Sequence, residues 1–107
     1  MKTAITSTGN MGSSLVDSRF GRCAWFVIYD SQSGSSEFIP NPYAHAEEEA
    51  GAESVKLLIS RKVERIISGE FGIKIKPMLD INKIQMIVIT GKEKTIDDII
   101  GMLSDKS

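Results

Sequence analysis

The apolar residues of this chain change their spacing partway along it, and that change constrains the fold more than any other feature. The first half carries short runs of strand type. These are Lys2 to Ser7, Ala24 to Tyr29, and Glu37-Phe38-Ile39, the second of them rich in aromatic and β-branched residues. The polar run Ser31-Gln32-Ser33-Gly34-Ser35-Ser36 between the second and third reads as a hairpin turn, and Pro40-Asn41-Pro42 stops the third. Beyond that point helix and strand patterns alternate. Val55, Leu58 and Ile59 recur at helical spacing, and Val63 to Ile67 is a short β-branched strand. Ser68-Gly69-Glu70-Phe71-Gly72 breaks that strand, and a short helix passes through Met78 and Leu79. Ile84 to Thr90 is almost continuously Ile and Val, which predicts a strand buried on both faces. The last helix is the clearest, with Ile96, Ile99, Ile100 and Leu103 at i, i+3, i+4 and i+7, Thr95 as N-cap, and Asp97 and Asp98 in the first turn.

The resulting order, β-β-β-α-β-α-β-α, specifies an α/β fold: a meander followed by right-handed βαβ crossovers, giving one five-stranded mixed sheet flanked by helices. At 107 residues the expectation is a single domain over 1–107. Thirteen basic and fourteen acidic side chains leave a formal charge of -1, so composition argues against a nucleic-acid or anionic-membrane partner, and an anion site must be local. One cysteine, Cys23, allows no internal disulfide and points to a reducing cytoplasm. No apolar stretch approaches the about 20 residues that cross a bilayer.

Four groups of residues carry chemistry. Arg19-Phe20-Gly21-Arg22 sets two guanidinium groups around a glycine that permits a tight backbone, and such forks suit multiply charged anions; alternatively one arginine pairs with Asp17 or Asp30 and pins the loop. Cys23 offers a soft thiolate for molybdenum, iron or copper, or else is a buried core residue. His45 offers an imidazole, or else is a solvated loop residue. Ser68-Gly69-Glu70-Phe71-Gly72 lies between a strand end and a helix start, where backbone N–H groups favour anions, although any βα turn also needs glycine. Met11 and Met78 are weaker thioether candidates. Glu47-Glu48-Glu49 reads as a solvated helix start. The first strand holds no acid, and no Ser-His-Asp, His-Glu-x-x-His, phosphate-loop or dinucleotide pattern occurs, so the expectation is a protein that is not an enzyme.

The stretch Val16-Asp17-Ser18-Arg19-Phe20-Gly21-Arg22-Cys23-Ala24-Trp25-Phe26-Val27-Ile28-Tyr29-Asp30 resembles the signature of the dinitrogenase iron-molybdenum cofactor biosynthesis family. Asn41-Pro42, Ala50-Gly51-Ala52 and Ser68-Gly69-Glu70-Phe71-Gly72 agree with it in order and spacing. The resemblance implies a ribonuclease-H-like motif. It also implies a non-catalytic carrier of an anionic metal-sulfur cluster, iron-molybdenum cofactor or a related Mo/Fe/Cu sulfide, bound reversibly and exchanged with cluster-assembly or acceptor proteins. The residues it points to are Arg19, Phe20, Gly21, Arg22, Ser68, Gly69 and Gly72 for the cluster, with Cys23 and His45 as metal ligands. Many relatives carry a His-Gly-Ala-Gly-like run at the start of the first long helix; here Glu48 stands at the histidine position, with His45 three residues earlier. The competing expectation is a regulatory or scaffold domain that binds a protein and no metal.

Overall fold

A computed structural model of the chain describes residues 1–90 and 93–104; residues 91–92 and 105–107 of the expected 1–107 domain lie outside that description. Five strands alternate with three helices as the apolar pattern predicts: β1 (Lys2–Ser7), β2 (Trp25–Asp30), β3 (Ser35–Pro40), α1 (Ala50–Ser60), β4 (Arg65–Ser68), α2 (Ile75–Ile81), β5 (Gln85–Val88) and α3 (Ile96–Ser104). They form one mixed sheet in the order β3-β2-β1-β4-β5. β1 lies antiparallel to β2, with Lys2 opposite Asp30 and Ser7 opposite Trp25, and parallel to β4, with Ile5 opposite Ile67. β3 closes one edge antiparallel to β2, and β5 the other parallel to β4. This is the five-stranded arrangement of the expected ribonuclease-H-like motif.

Side-chain alternation along the central strands divides the core in two. Ala4, Phe26, Ile28 and Ile66 face α1 and α2, where Val55, Leu58, Ile75 and Leu79 complete one cluster. Their neighbours Ile5, Val27 and Ile67 face the opposite way and meet Ile96 and Ile99 of α3. The hairpin turn is held by Asp30, whose Oδ1 accepts from the N–H of Gln32 at 2.9 Å, and by Gly34 at φ 74.

One expectation needs correction. The Ile84 to Thr90 run is not buried on both faces: β5 spans only Gln85–Val88 at the sheet edge, with its two middle residues half-buried and its ends exposed. The most completely buried strand is β1, in which Thr3, Ala4, Ile5, Thr6 and Ser7 are all at 0% exposure. A continuous apolar run signals cover on both faces but says nothing of position across the sheet, and a lateral edge costs β5 much of its burial.

The topology brings the carboxyl ends of β1, β4 and β5 to one end of the sheet. The loop before β2 and the segment after β3 join them there, because β1 and β3 both run antiparallel to β2. Each helix begins at this end, since each follows a strand that finishes there.

Candidate functional site

At this end the Arg19-Phe20-Gly21-Arg22 loop is pressed against the start of α1. Gly21 has φ +88, and a Cβ built on it would stand 2.8 Å from Gly51 Cα and 2.9 Å from Gly51 N. Backbone therefore rests on backbone, a contact that only glycine at position 21 allows. Asn41, buried at the end of β3, ties the same loop down: its Nδ2 donates to the carbonyls of Gly21 and Cys23, both at 2.9 Å, and its Oδ1 accepts from the N–H of Tyr43 at 3.0 Å.

The consequence is a cleft of about 630 Å³ beside the N-terminus of α1. Ala50, Gly51 and Ala52 form one wall, Phe20, Ile75 and Met78 an apolar one, and Arg22, Gly72 and Lys74 line the remainder together with Glu49 and Ile73. Helix α1 opens without a side-chain cap, on Glu49 in the left-handed region at φ 58. Its first backbone bond runs from Glu53 N–H to the Glu49 carbonyl at 2.9 Å. The N–H groups of Ala50, Gly51 and Ala52 find no acceptor among the described residues. Such unpaired donors carry the positive end of the helix dipole. The start of α3 differs entirely. Thr95 Oγ1 accepts from Asp98 N–H at 3.1 Å, and Asp98 Oδ2 accepts from Thr95 N–H at 3.0 Å. The carbonyls of Ser14 and Gly12 take the N–H groups of Ile96 and Asp97, each at 2.9 Å. Every first-turn donor of α3 is thus satisfied.

The residues singled out from sequence are divided by the structure. Phe20, Arg22 and Gly72 line the α1 cleft, with Gly21 supporting it from behind. Gly69 belongs instead to a second cleft of about 520 Å³ with Ser18, Thr90 and Lys94. A Cβ on Gly69 would come within 2.4 Å of Ser18 Cα, so this glycine serves close packing of two loops. Ser68 is buried, accepts a hydrogen bond from Thr6 Oγ1 at 3.1 Å and donates to the Glu70 carbonyl. Arg19 makes the pairing foreseen as its alternative: its Nε lies 3.3 Å from Oδ1 of the buried Asp17, which also accepts the Arg19 N–H at 2.9 Å. That hydrogen-bonded carboxylate raises the Arg19 pKa further.

Cys23 is fully buried in the core under α1 and α2. Burial, reinforced by the charge of Asp17, pushes its thiol up to about 12, so at neutral pH it is a protonated packing residue in this conformation. His45 is exposed on the segment between β3 and α1. Among the described residues no group of three or more His, Cys, Asp or Glu stands close enough together to hold a metal ion. Met11 is 63% exposed in its loop, whereas Met78 is partly buried against the core and reaches the cleft. Sequence reasoning missed Asn41 and Lys74 as parts of the site. The available signal for Asn41 was its place directly after β3 and before Pro42; Lys74 carried none.

The sequence model of the family described as dinitrogenase iron-molybdenum cofactor matches residues 1–106. Among solved structures, an NMR structure of a NifB-like protein from Thermotoga shares 32% identity, with a TM-score of 0.81 over 97% of this chain and 87% of its own. The apo form of the orange protein from Desulfovibrio gigas shares 24% identity, with a TM-score of 0.87 over 98% of this chain and 88% of its own. A dinitrogenase-like protein from Methanocaldococcus jannaschii shares 22% identity, with a TM-score of 0.65 over 99% and 89%. At those identities the last two speak to fold alone. No curated protein matches the chain.

Proposed function

The chain belongs to the dinitrogenase iron-molybdenum cofactor family, and on that premise we propose that it is a binding protein that holds an anionic metal-sulfur cluster in the α1 cleft and releases it unchanged. Membership ties the chain to iron-molybdenum cofactor biosynthesis or binding. The observation that carries the finer reading is the uncapped start of α1, whose residues Ala50, Gly51 and Ala52 have N–H groups with no acceptor among the described residues and line a cleft together with Arg22 and Lys74.

Each part of the cleft has a use in that role. Helix N-terminal donors and two cations favour negative charge, and Gly72 leaves backbone open to close approach, whereas the space beside Gly51 is filled by Ile75. Phe20, Ile75 and Met78 present apolar and soft surface to sulfide, which is polarisable and weakly hydrated. Holding by hydrogen bonds and charge, without a covalent ligand, suits reversible carriage. Glu49 at the rim opposes anion binding and keeps the site from holding too tightly.

The test is anaerobic addition of tetrathiomolybdate with copper, and separately of iron-molybdenum cofactor, to purified protein, followed by gel filtration, visible spectra and metal analysis. Stoichiometric co-elution is expected with at least one of them. The double variant Arg22→Gln/Lys74→Gln should lose about a hundredfold or more in affinity while keeping its fold, because each of the two lost charge-assisted contacts is worth roughly 1.5–3 kcal/mol. A folded sample that retains neither cluster sinks the reading. A second reading, a regulatory or scaffold domain without metal, is favoured by one observation. Ile73, in the turn that leads into α2, and Ile81 at its end are 92% and 80% exposed, and Pro77 between them is exposed as well.

A further inference from the structure

Arg22 reaches in two directions. Its Nη1 donates to the carbonyls of Ala44, at 3.4 Å, and of Ala46, the residues on either side of His45. Its Nε and Nη2 meet no acceptor among the described residues, and the side chain lines the cleft. That free edge is the planar fork suited to a bidentate anion. The segment it grips is lightly held elsewhere. Ala44 N–H bonds the Asn41 carbonyl at 3.4 Å and Ala46 N–H the Tyr43 carbonyl at 3.1 Å, while His45, Glu47 and Glu48 are exposed. The segment then runs into Glu49, on which α1 opens. One guanidinium therefore stands between the cleft and the strand of chain that leads to the unpaired N–H groups.

We propose that Arg22 is a coupling latch: Nη1 holds the 44–46 segment while the Nε–Nη2 edge takes the anion, so that loading the cleft tightens the segment and losing the segment weakens loading. The proposal rests on the anion-cleft reading above. Its physical basis is that the two sets of bonds use different hydrogens of one rigid plane and so do not compete. The carbonyls fix the orientation of that plane before an anion arrives, which removes rotamer freedom that binding would otherwise have to remove. By linkage the coupling acts equally in both directions. A lysine at this position keeps the charge and loses the fork.

His45 is the only histidine, so its ring resonances report the segment without ambiguity. In ligand-free protein, Arg22→Lys should speed amide exchange at Ala44 and Ala46 several-fold while leaving the β1 amides unchanged. Adding tetrathiomolybdate should slow exchange at both positions and shift the His45 ring in the native protein. In Arg22→Lys it should bind about tenfold more weakly and slow neither amide. Equal exchange in the two ligand-free proteins would overturn the latch even if tetrathiomolybdate binds. So would faster exchange on binding, which would mean that anion and carbonyls compete. If neither tetrathiomolybdate nor molybdate binds the native protein, the coupling falls; the anion reading falls with it only if iron-molybdenum cofactor is not retained either, and the ligand-free comparison still reports whether Arg22 holds the segment.

Discussion

Burial moves the Cys23 thiol from 9.0 to about 12, and the sign of the resulting pH dependence follows directly. The folded state keeps the proton where the unfolded chain has released it. The stability associated with the neutral buried thiol is therefore present in full below about pH 9.0 and is lost as pH rises towards 12. Cys23→Ala should flatten that alkaline loss, read as the difference between native and variant denaturation midpoints across this window. The same difference near pH 7 should show only the small cost of lost packing. A native thiol that reacted with a disulfide reagent at pH 7 as fast as an unfolded one would contradict the burial. At this scale sequence was a partial guide. The Asp17–Arg19 pairing was legible as an alternative because the residues are two apart and opposite in charge. The grip of Arg22 on Ala44 and Ala46, 22 and 24 residues away, left no mark in the pattern, because backbone carbonyls are the same at every position. Nor could residue type alone decide between a ligand and a core role for Cys23, since only packing determines which atoms cover the sulfur.

Helix beginnings and helix ends differed in the same respect. Thr95 and the acids after it announced the start of α3, and the reciprocal Thr95–Asp98 bonds bear this out. Helices α1 and α2 finish on devices that no glycine announces. In α1, Val63 N–H reaches the Leu58 carbonyl at 3.2 Å and Lys62 N–H reaches Ile59 at 2.9 Å. In α2, Ile84 N–H reaches Leu79 at 2.8 Å and Lys83 N–H reaches Asp80 at 3.1 Å. Both are Schellman ends with a buried apolar contact, Val63 with Leu58 and Ile84 with Leu79, and both set lysine where glycine is usual, Lys62 at φ 63 and Lys83 at φ 57. The repeated device aims each helix into the strand that follows. A left-handed lysine costs about 1–2 kcal/mol that glycine does not, part of which is offset by glycine's greater freedom when unfolded. Lys62→Gly and Lys83→Gly should each raise stability by about 0.5–1 kcal/mol in chemical denaturation, additively, because the two ends are separate. The β5 edge shows the matching limit for strands. Its apolar run was visible, but its place in the sheet depends on which strand it joins, a property of the whole topology.

Across the whole molecule, most of the buried core lies away from the proposed binding cleft, and the two meet at Phe20 and Ile75, which belong to the core and line the cleft. The sheet and its two apolar clusters lie between the helices, while the loops that build the cleft gather where β1, β4 and β5 finish. Leu58 tests the separation. It sits two turns along α1 from the cleft, at 0% exposure, among the residues that join α1 to the sheet, and it also supplies the carbonyl that closes the α1 end. Leu58→Ala removes buried methyl groups and leaves a cavity that the sheet cannot collapse to fill, so a loss of about 2–5 kcal/mol is expected in chemical denaturation. At a temperature where the variant remains folded, its affinity for tetrathiomolybdate should match that of the native chain, because no wall of the cleft has moved. Arg22→Gln/Lys74→Gln should behave in the opposite way, keeping the denaturation midpoint and losing affinity. If Leu58→Ala lowered affinity in a fully folded sample as far as the charge variant does, the cleft would depend on the seating of α1 against the sheet. The start of the helix would then have to be treated as part of one rigid body with the core, and binding would be coupled to the stability of the whole fold.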